Sequence, residues 1–410
     1  MTKTIQTDTL IIGAGSSGCV LANRLSAQPD HRVTLIEAGG KDSWHWIHIP
    51  VGYLYTMGNP KTDWCYSTTP QPGLNGRSLA YPRGRVLGGC SSINGMIYMR
   101  GQEADYDAWG SGWTWSDVLP YYKQSEHYHR GADAYHSDQG ELLVQEQRLK
   151  WDILETFKRV CEDAGFNDRP DFNCGDNSGV GYFEVNQKKG IRWSSARAFL
   201  HPVMHRPNLT VMTHTLSEHL VFDGDRCIGM EGTCRGQPVS IRAQRVILAA
   251  GAIGTPALLE RSGIGDEAVL APLGIQVHTQ LLGVGNNLQD HLQVRLQYRL
   301  KRGDTLNQQA NSWFGRVKMA LQYAYNQSGP LSMAPSQLGA FFKSSDDVDR
   351  PDLEFHIQPM SADQLGTKLH PFPGMTASVC QLRPTSRGST HISGPRASDA
   401  PRIDPRYLSE

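Results

Sequence analysis

Two features that would place a chain quickly are missing from these 410 residues: a long apolar run and an excess of one charge. No run approaches membrane-spanning length, and the first residues pass from polar straight into an apolar strand without the profile of a leader. Lys plus Arg and Asp plus Glu number 40 each, which argues against a basic nucleic-acid surface and against an acidic tail. The expected partner is a small molecule, not a nucleic acid. Cysteine is present but unorganised: positions 19, 65, 90, 161, 174, 227, 234 and 380 form no CxxC and no Cys/His metal spacing. No metal site is expected, and the thiols read as reduced, in the cytoplasm or at the inner face of its membrane. The length allows two domains with well-buried cores.

What is present is concentrated near the N-terminus. The apolar run Thr9-Leu10-Ile11-Ile12 leads into Gly13-Ala14-Gly15-Ser16-Ser17-Gly18, after which small and apolar residues recur at helical spacing to Leu25. Val33-Thr34-Leu35-Ile36-Glu37 is a second apolar run closed by an acid. The pattern is strand, turn, helix, strand, a βαβ unit, and the fold class it implies is α/β with a Rossmann-like nucleotide-binding domain. Gly13 makes the turn tight, Gly15 lets the backbone approach a pyrophosphate, Ser17 lies in the first helical turn, and Gly18 lets helix and strand pack closely. Glu37 can accept hydrogen bonds from both ribose hydroxyls and would repel a 2′-phosphate, so the expected nucleotide carries an unphosphorylated adenosine.

Residues 44–81 are rich in aromatics, Gly and Pro, without a period, and read as an excursion over the nucleotide domain; Trp44, Trp46, Tyr53, Tyr55, Trp64 and Tyr66 could be core or could wall a pocket, core being favoured for any one of them. The run from Gly84 to Gly101 holds five glycines among Arg85, Val86, Gly89, Ser91, Ser92, Asn94 and Gly95, which permits close approach to a flat or phosphorylated ligand, with Arg85 to counter a pyrophosphate charge. Residues 104–126 read as one helix, and 151–164 as another ending near Gly165. Residues 211–234 read as a hairpin turning at Asp223-Gly224-Asp225. Residues 245–265 repeat the opening logic: a buried strand, a small-residue turn, a helix capped by Thr255 with Pro256 at its first position, and a stop at Gly263.

Taken together, the opening fingerprint, the Gly84–Asn94 run, Gly251–Gly265 and Gly283-Val284-Gly285-Asn286-Asn287-Leu288-Gln289-Asp290-His291 resemble the glucose-methanol-choline (GMC) family of FAD-dependent oxidoreductases. Arg192–Leu200 and Ile403–Ser409 are similar to the bacterial alcohol and choline dehydrogenases of that family, so the resemblance spans the chain. It implies FAD as cofactor, which spacing alone does not decide. By that resemblance Gly13, Gly15 and Gly18 hold the pyrophosphate and Glu37 the ribose. Val86, Asn94, Gly95, Met96 and Ile97 lie along the isoalloxazine and ribityl chain, with Gly89 in the same wall, and Ser217 touches the adenine. Some relatives tether the flavin through a His in the Gly-rich run; Ile93 stands there, so the FAD is expected to be noncovalent.

The implied reaction is oxidation of a primary alcohol to an aldehyde by hydride transfer to flavin, with a quinone-linked carrier or oxygen as acceptor. Relatives place the catalytic base in a His-Pro-x-Gly-Thr stretch near the C-terminus, which these residues lack. The sequence is therefore expected to be truncated relative to the family, with no catalytic residue assigned; His291 is read as a domain-junction hydrogen bond. Where relatives often carry Glu before a Gly-Ala-Phe, Gln337 precedes Leu338-Gly339-Ala340-Phe341, which lowers choline relative to uncharged alcohols. Choline dehydrogenase, a silent flavin-binding fragment and a lyase on the same scaffold are the alternatives. The expected division is a discontinuous FAD-binding domain, 1–155 and 195–291, and a substrate domain, 156–194 and 292–410. In the latter, residues 292–300, 353–359, 375–382 and 388–393 read as one antiparallel sheet, and 316–325 as a helix.

Overall fold

A computed structural model describes residues 3–363 and 367–410. β1 (Lys3–Ile12) and β2 (Val33–Glu37) are parallel neighbours joined through α1 (Ser16–Leu25). β1 also pairs in parallel with Gln237–Leu248, and Leu209–Thr213 pairs in parallel with β2. The hairpin Thr215–Asp223 and Arg226–Cys234 extends this into a six-stranded sheet, Asp223 standing opposite Arg226 across the expected turn. Ile11 faces a core shared with α1 and with Phe199 and Leu200, whereas Leu10 and Ile12 face a second core holding Ile241 and Leu258. Covered on both sides, the strand has to be apolar throughout, which is why it reads as an unbroken run. Leu10, Ile11 and Leu35 are fully buried, each contributing about 1.5–3 kcal/mol of hydrophobic stabilisation.

A second sheet of five antiparallel strands runs in the order Gln293–Arg299, Gly374–Gln381, Leu353–Gln358, Leu338–Phe342, Gly179–Tyr182. Its apolar face, with Ala340, Ile357 and Ala377, packs on Leu154 of helix Asp152–Asp163 and Met319 of helix Trp313–Asn326. The strands Leu338–Phe342 and Gly179–Tyr182, of five and four residues, are too short for their alternation to stand out in the sequence.

Three sequence expectations change. Residues 388–393 do not join the five-stranded sheet: Gly388–His391 pairs with Asn286–Leu288 and Arg402–Asp404 in a sheet of three. Alternation identifies a strand but not its neighbour. Residues 104–126 form two helices, Glu103–Asp107 and Trp115–Ser125, because Gly110 and Gly112 take φ of 92° and 85°, outside the right-handed helical region. The helix after Gln237–Leu248 starts at Gly251 rather than beyond Thr255, so Pro256 lies inside it and leaves one carbonyl without its intrahelical donor. Its end is as read, with Gly263 left-handed at φ 79°.

Candidate functional site

The register brings Ile12 level with both Ile36 and Leu248, so three parallel strands open at their carboxyl ends on one crevice. The N-termini of α1 and of helix Gly251–Arg261 border it. The crevice holds a cleft of about 310 Å³ lined by Gly13, Gly15, Ser17, Glu37, Gly89 and Ser217, six of the residues singled out from sequence. Gly18 lies behind it, where a Cβ would meet the Gly13 carbonyl oxygen at 1.9 Å. Gly13, at φ 104°, leaves 2.5 Å between a hypothetical Cβ and the Ala249 oxygen. Gly15 differs. Its nearest neighbour would be the Ala249 oxygen at 3.9 Å, so no protein atom requires a glycine there. The space it leaves belongs to whatever enters the cleft.

Three further observations fit a dinucleotide. No side chain caps α1, which leaves first-turn amides for an anion. The buried Glu37 carboxylate accepts hydrogen bonds from the Ala14 amide (3.0 Å) and the Gly39 amide (2.8 Å). Burial pushes its pKa up to about 7 against the pull of those amides and of Arg85. Ser217 Oγ, buried in the cleft wall, has no hydrogen-bond partner among the described residues, a group awaiting one.

Gly84 and Cys90 also line the cleft, and the other residues named from the Gly-rich run lie beyond it. Arg85 lies over the Trp64 ring, 4.8 Å from its centroid, and lines a neighbouring hollow with Lys41 and His214. Val86 and Ile93 are buried around Ile47, and Met96 packs on Val185 and Ala334. Asn94 is exposed, with Gly95 half-buried against Pro335, where a Cβ would come within 2.6 Å of the proline ring. Ile97 packs against Phe172, Phe183 and Phe341.

Sequence reading missed several residues here. Trp64 and Tyr66, for which core is the favoured reading and a pocket wall the alternative, are stacked at 5.7 Å and stand in the cleft wall, while Tyr55 is exposed; of that aromatic group Tyr53 is the fully buried one. Composition marks an aromatic segment but not which ring faces a cavity. Arg192 is fully buried, donating to the carbonyls of Ile47 (2.8 Å) and Ser91 (3.1 Å) and to Asn94 Oδ1 (2.9 Å). It fixes the Gly-rich run from behind, and burial pushes its pKa down to about 9. Its place in the Arg192–Leu200 motif was the signal.

Strand alternation turns Glu354, His356, Thr376, Ser378 and Cys380 to the face of the second sheet opposite its apolar core. Phe183 packs on His356 at 5.2 Å and belongs to the cluster that holds Ile97, so this polar face adjoins the end of the Gly-rich run. Glu354 Oε1 lies 3.1 Å from His356 Nε2, and the Cys380 thiol reaches the other carboxylate oxygen at 3.8 Å. Burial, and then Glu354, pushes the Cys380 thiol up to about 12, so it is protonated. Ser378 Oγ and both amide atoms of the fully buried Gln337 have no partner among the described residues. His291 is elsewhere: exposed, its Nε2 lies 2.9 Å from the Leu382 oxygen at the end of strand Gly374–Gln381.

Residues 7–293 match the GMC oxidoreductase family. The chain is 40 % identical over 412 residues to the alcohol dehydrogenase (acceptor) of Pseudomonas putida, covering 98 % of this chain and 74 % of that protein. To the mitochondrial choline dehydrogenase of Mus musculus it is 37 % identical over 413 residues, covering 98 % and 69 %. Among solved structures, pyridoxine 4-oxidase from Mesorbium loti is similar with a TM-score of 0.86 at 30 % identity, covering 98 % of this chain and 77 % of that one. A formate oxidase shares the fold, with a TM-score of 0.89 at 24 % identity over 100 % and 78 % of the two chains.

Proposed function

Because the chain belongs to the GMC oxidoreductase family, whose cofactor is FAD, we propose that it oxidises a primary alcohol to an aldehyde, with uncharged alcohols ahead of choline. The observation that carries the substrate half is the polar sheet face, where Ser378, level with His356 in the register, keeps its hydroxyl unspent, and where Gln337, just before the neighbouring strand Leu338–Phe342, keeps both amide atoms unspent. A neutral amide at Gln337 favours a hydroxyl over a quaternary ammonium. The relatives named alcohol and choline dehydrogenases support alcohol-type substrates, and both readings lead to the same experiment.

Gly15 and the first amides of α1 hold the pyrophosphate, Glu37 accepts the ribose hydroxyls, and Ser217 meets the adenosine side. Arg192 holds Asn94 in place, and the segment from Asn94 through Ile97 would line the ring system of the bound cofactor. Bound FAD supplies the hydride acceptor. Ile93 offers no group for a covalent tether, so the cofactor is held by these contacts alone. His356, its ring fixed by Glu354, orients the substrate hydroxyl. In this reading residues 1–155 and 195–291 form the FAD-binding domain and 156–194 with 292–410 the substrate domain, except that helix Asp152–Asp163, which the boundary cuts, packs through Leu154 on the second sheet and goes with the substrate domain. Eight free cysteines support a reducing compartment, and among the described residues no helix is long and apolar enough to cross a membrane. The acceptor is a quinone-linked carrier or oxygen.

The test is anaerobic mixing of the FAD-loaded protein with uncharged primary alcohols and with choline, following loss of the visible flavin absorbance. Faster bleaching by uncharged alcohols is expected. Faster bleaching by choline would reassign the substrate, and no bleaching by any alcohol at full flavin occupancy would leave a flavin-binding protein without this chemistry.

A further inference from the structure

Helix Trp313–Asn326 is mounted with its wide apolar face outward. The residues it turns to the protein are Gly315, Met319 and Tyr323, four apart and therefore on one stripe; of these only Met319 is buried, and the others are half-buried. Trp313, Phe314, Leu321 and Tyr325 are 78 %, 73 %, 65 % and 93 % exposed, with Val317 at 37 %. At 3.6 residues per turn these side chains, with Ala320 and Ala324, cover an arc of roughly 140° centred opposite Met319. An ordinary surface helix has the reverse arrangement.

The edges of that arc are cationic. Arg316 borders one side and Lys318 the other, both exposed, and the helix contains no Asp or Glu. The loop before the short helix Leu306–Asn311 that precedes it carries exposed Lys301 and Arg302 against the single acid Asp304. Aromatic rings stand at both ends of the arc, Trp313 and Phe314 at the start and Tyr325 near the finish. With a rise of about 1.5 Å per residue, a helix of 14 residues is roughly 21 Å long, short of the roughly 30 Å hydrocarbon core, so it can lie in a membrane surface but not cross it.

From this arrangement we propose that the helix is a membrane-docking element, lying in the plane of a bilayer containing anionic lipid. The apolar arc enters the boundary between headgroups and acyl chains, the aromatic rings sit at headgroup depth, and Arg316 and Lys318 reach lipid phosphates on either side. A second copy of the chain is a poorer occupant. A symmetric contact would bring two cationic rims together with no acid on either helix to answer them. The inference rests on the surface alone and does not depend on the substrate assignment.

The test is co-sedimentation of the FAD-loaded protein with vesicles of phosphatidylcholine alone and of phosphatidylcholine with phosphatidylglycerol. Binding is expected to be stronger on the phosphatidylglycerol vesicles. Substituting Trp313→Ser, Phe314→Ser and Leu321→Ser together should lower partitioning about tenfold or more, because buried apolar area sets the strength of such docking. Arg316→Glu and Lys318→Glu should each weaken binding to the anionic vesicles about fivefold or more. These side chains are exposed, so flavin content and thermal unfolding should stay as in the unaltered protein; a variant failing that control is replaced by the charge-reversed pair as the deciding measurement. Absence of vesicle binding, undiminished binding by the triple variant, or a dimer dispersed by the same substitutions without vesicle binding would each overturn the proposal.

Discussion

Gly15 and Gly18 are three residues apart and serve different partners, which gives them separable mutant phenotypes. A side chain at Gly18 would collide with the Gly13 carbonyl, whereas one at Gly15, whose φ is −74°, would project into the cleft. Gly15→Val is therefore expected to fold with an unfolding midpoint close to that of the parent and to lose its flavin on desalting, read from the visible absorbance. Gly18→Val is expected not to reach a soluble fold; retention of flavin by Gly15→Val would sink the assignment of the cleft. His356 gives a second residue-scale prediction. If it orients the substrate hydroxyl, His356→Ala should slow flavin reduction by about a hundredfold with flavin affinity unchanged, since misplacement near the reacting atoms costs on that order. A change smaller than threefold in stopped-flow bleaching would exclude that role. Its positional cue in the sequence was weak: a lone histidine in an alternating strand is most often packing, and only the register with Ser378 and the contact with Phe183 bring it beside the Gly-rich run.

Among the elements, helix Gly251–Arg261 does two jobs: its N-terminus borders the cleft and its far end anchors the three-stranded sheet. Buried Glu260 lies 2.6 Å from His391 Nδ1 and accepts from the Ile392 amide at 2.8 Å. Glu260→Ala would leave that amide and the imidazole without their partner in a buried junction. A loss of about 2–4 kcal/mol is expected from urea unfolding, from one charge-assisted hydrogen bond and one orphaned amide. Loss below half a kcal/mol would mean that Glu260 does not anchor the sheet. The strand before this helix and its Gly263 stop were legible because they depend on neighbours in sequence. Its start was not, because Pro256 reads as a first-turn residue, whereas the helix begins at Gly251 and carries the proline inside it at the loss of one bond to the Ala252 carbonyl.

For the whole molecule, two buried groups couple folding to pH in the same direction. Glu37 is held near 7 by burial, above its ordinary 4.5, so its contribution is complete below that value and is lost as pH rises through about 7. The shift corresponds to a loss on the order of 3 kcal/mol in the cofactor-free protein. Burial alone would push His136 down, but the carboxylates of Asp171 and Glu126, at 3.0 and 2.9 Å, hold it at about 9. Its stabilisation is complete below 6.5 and disappears as pH rises through about 9. Urea titrations across this range should show the cofactor-free protein weakening steadily. Glu37→Gln should remove the lower part of that slope and His136→Gln the upper part; an unchanged slope in both variants would place the pH sensitivity elsewhere.

The βαβ unit, the three glycines, Glu37 and the hairpin at Gly224 were determined by the sequence itself, because each rests on the spacing of residues within one or two elements and on backbone angles only certain residues adopt. Ser217, Ile93 and the motif residues of the Gly-rich run could be numbered from the family resemblance, but not located. Only the tertiary structure decided that Ser217 Oγ lacks a partner in the cleft wall, that Trp64 and Tyr66 face a cavity, and that Arg192 grips Asn94 from behind. The same holds for the polar sheet face and for the outward apolar arc of helix Trp313–Asn326. A periodic pattern states that an element has two faces; which face is covered, and by what, depends on contacts between segments far apart in the chain, and those are fixed by packing rather than by any local spacing.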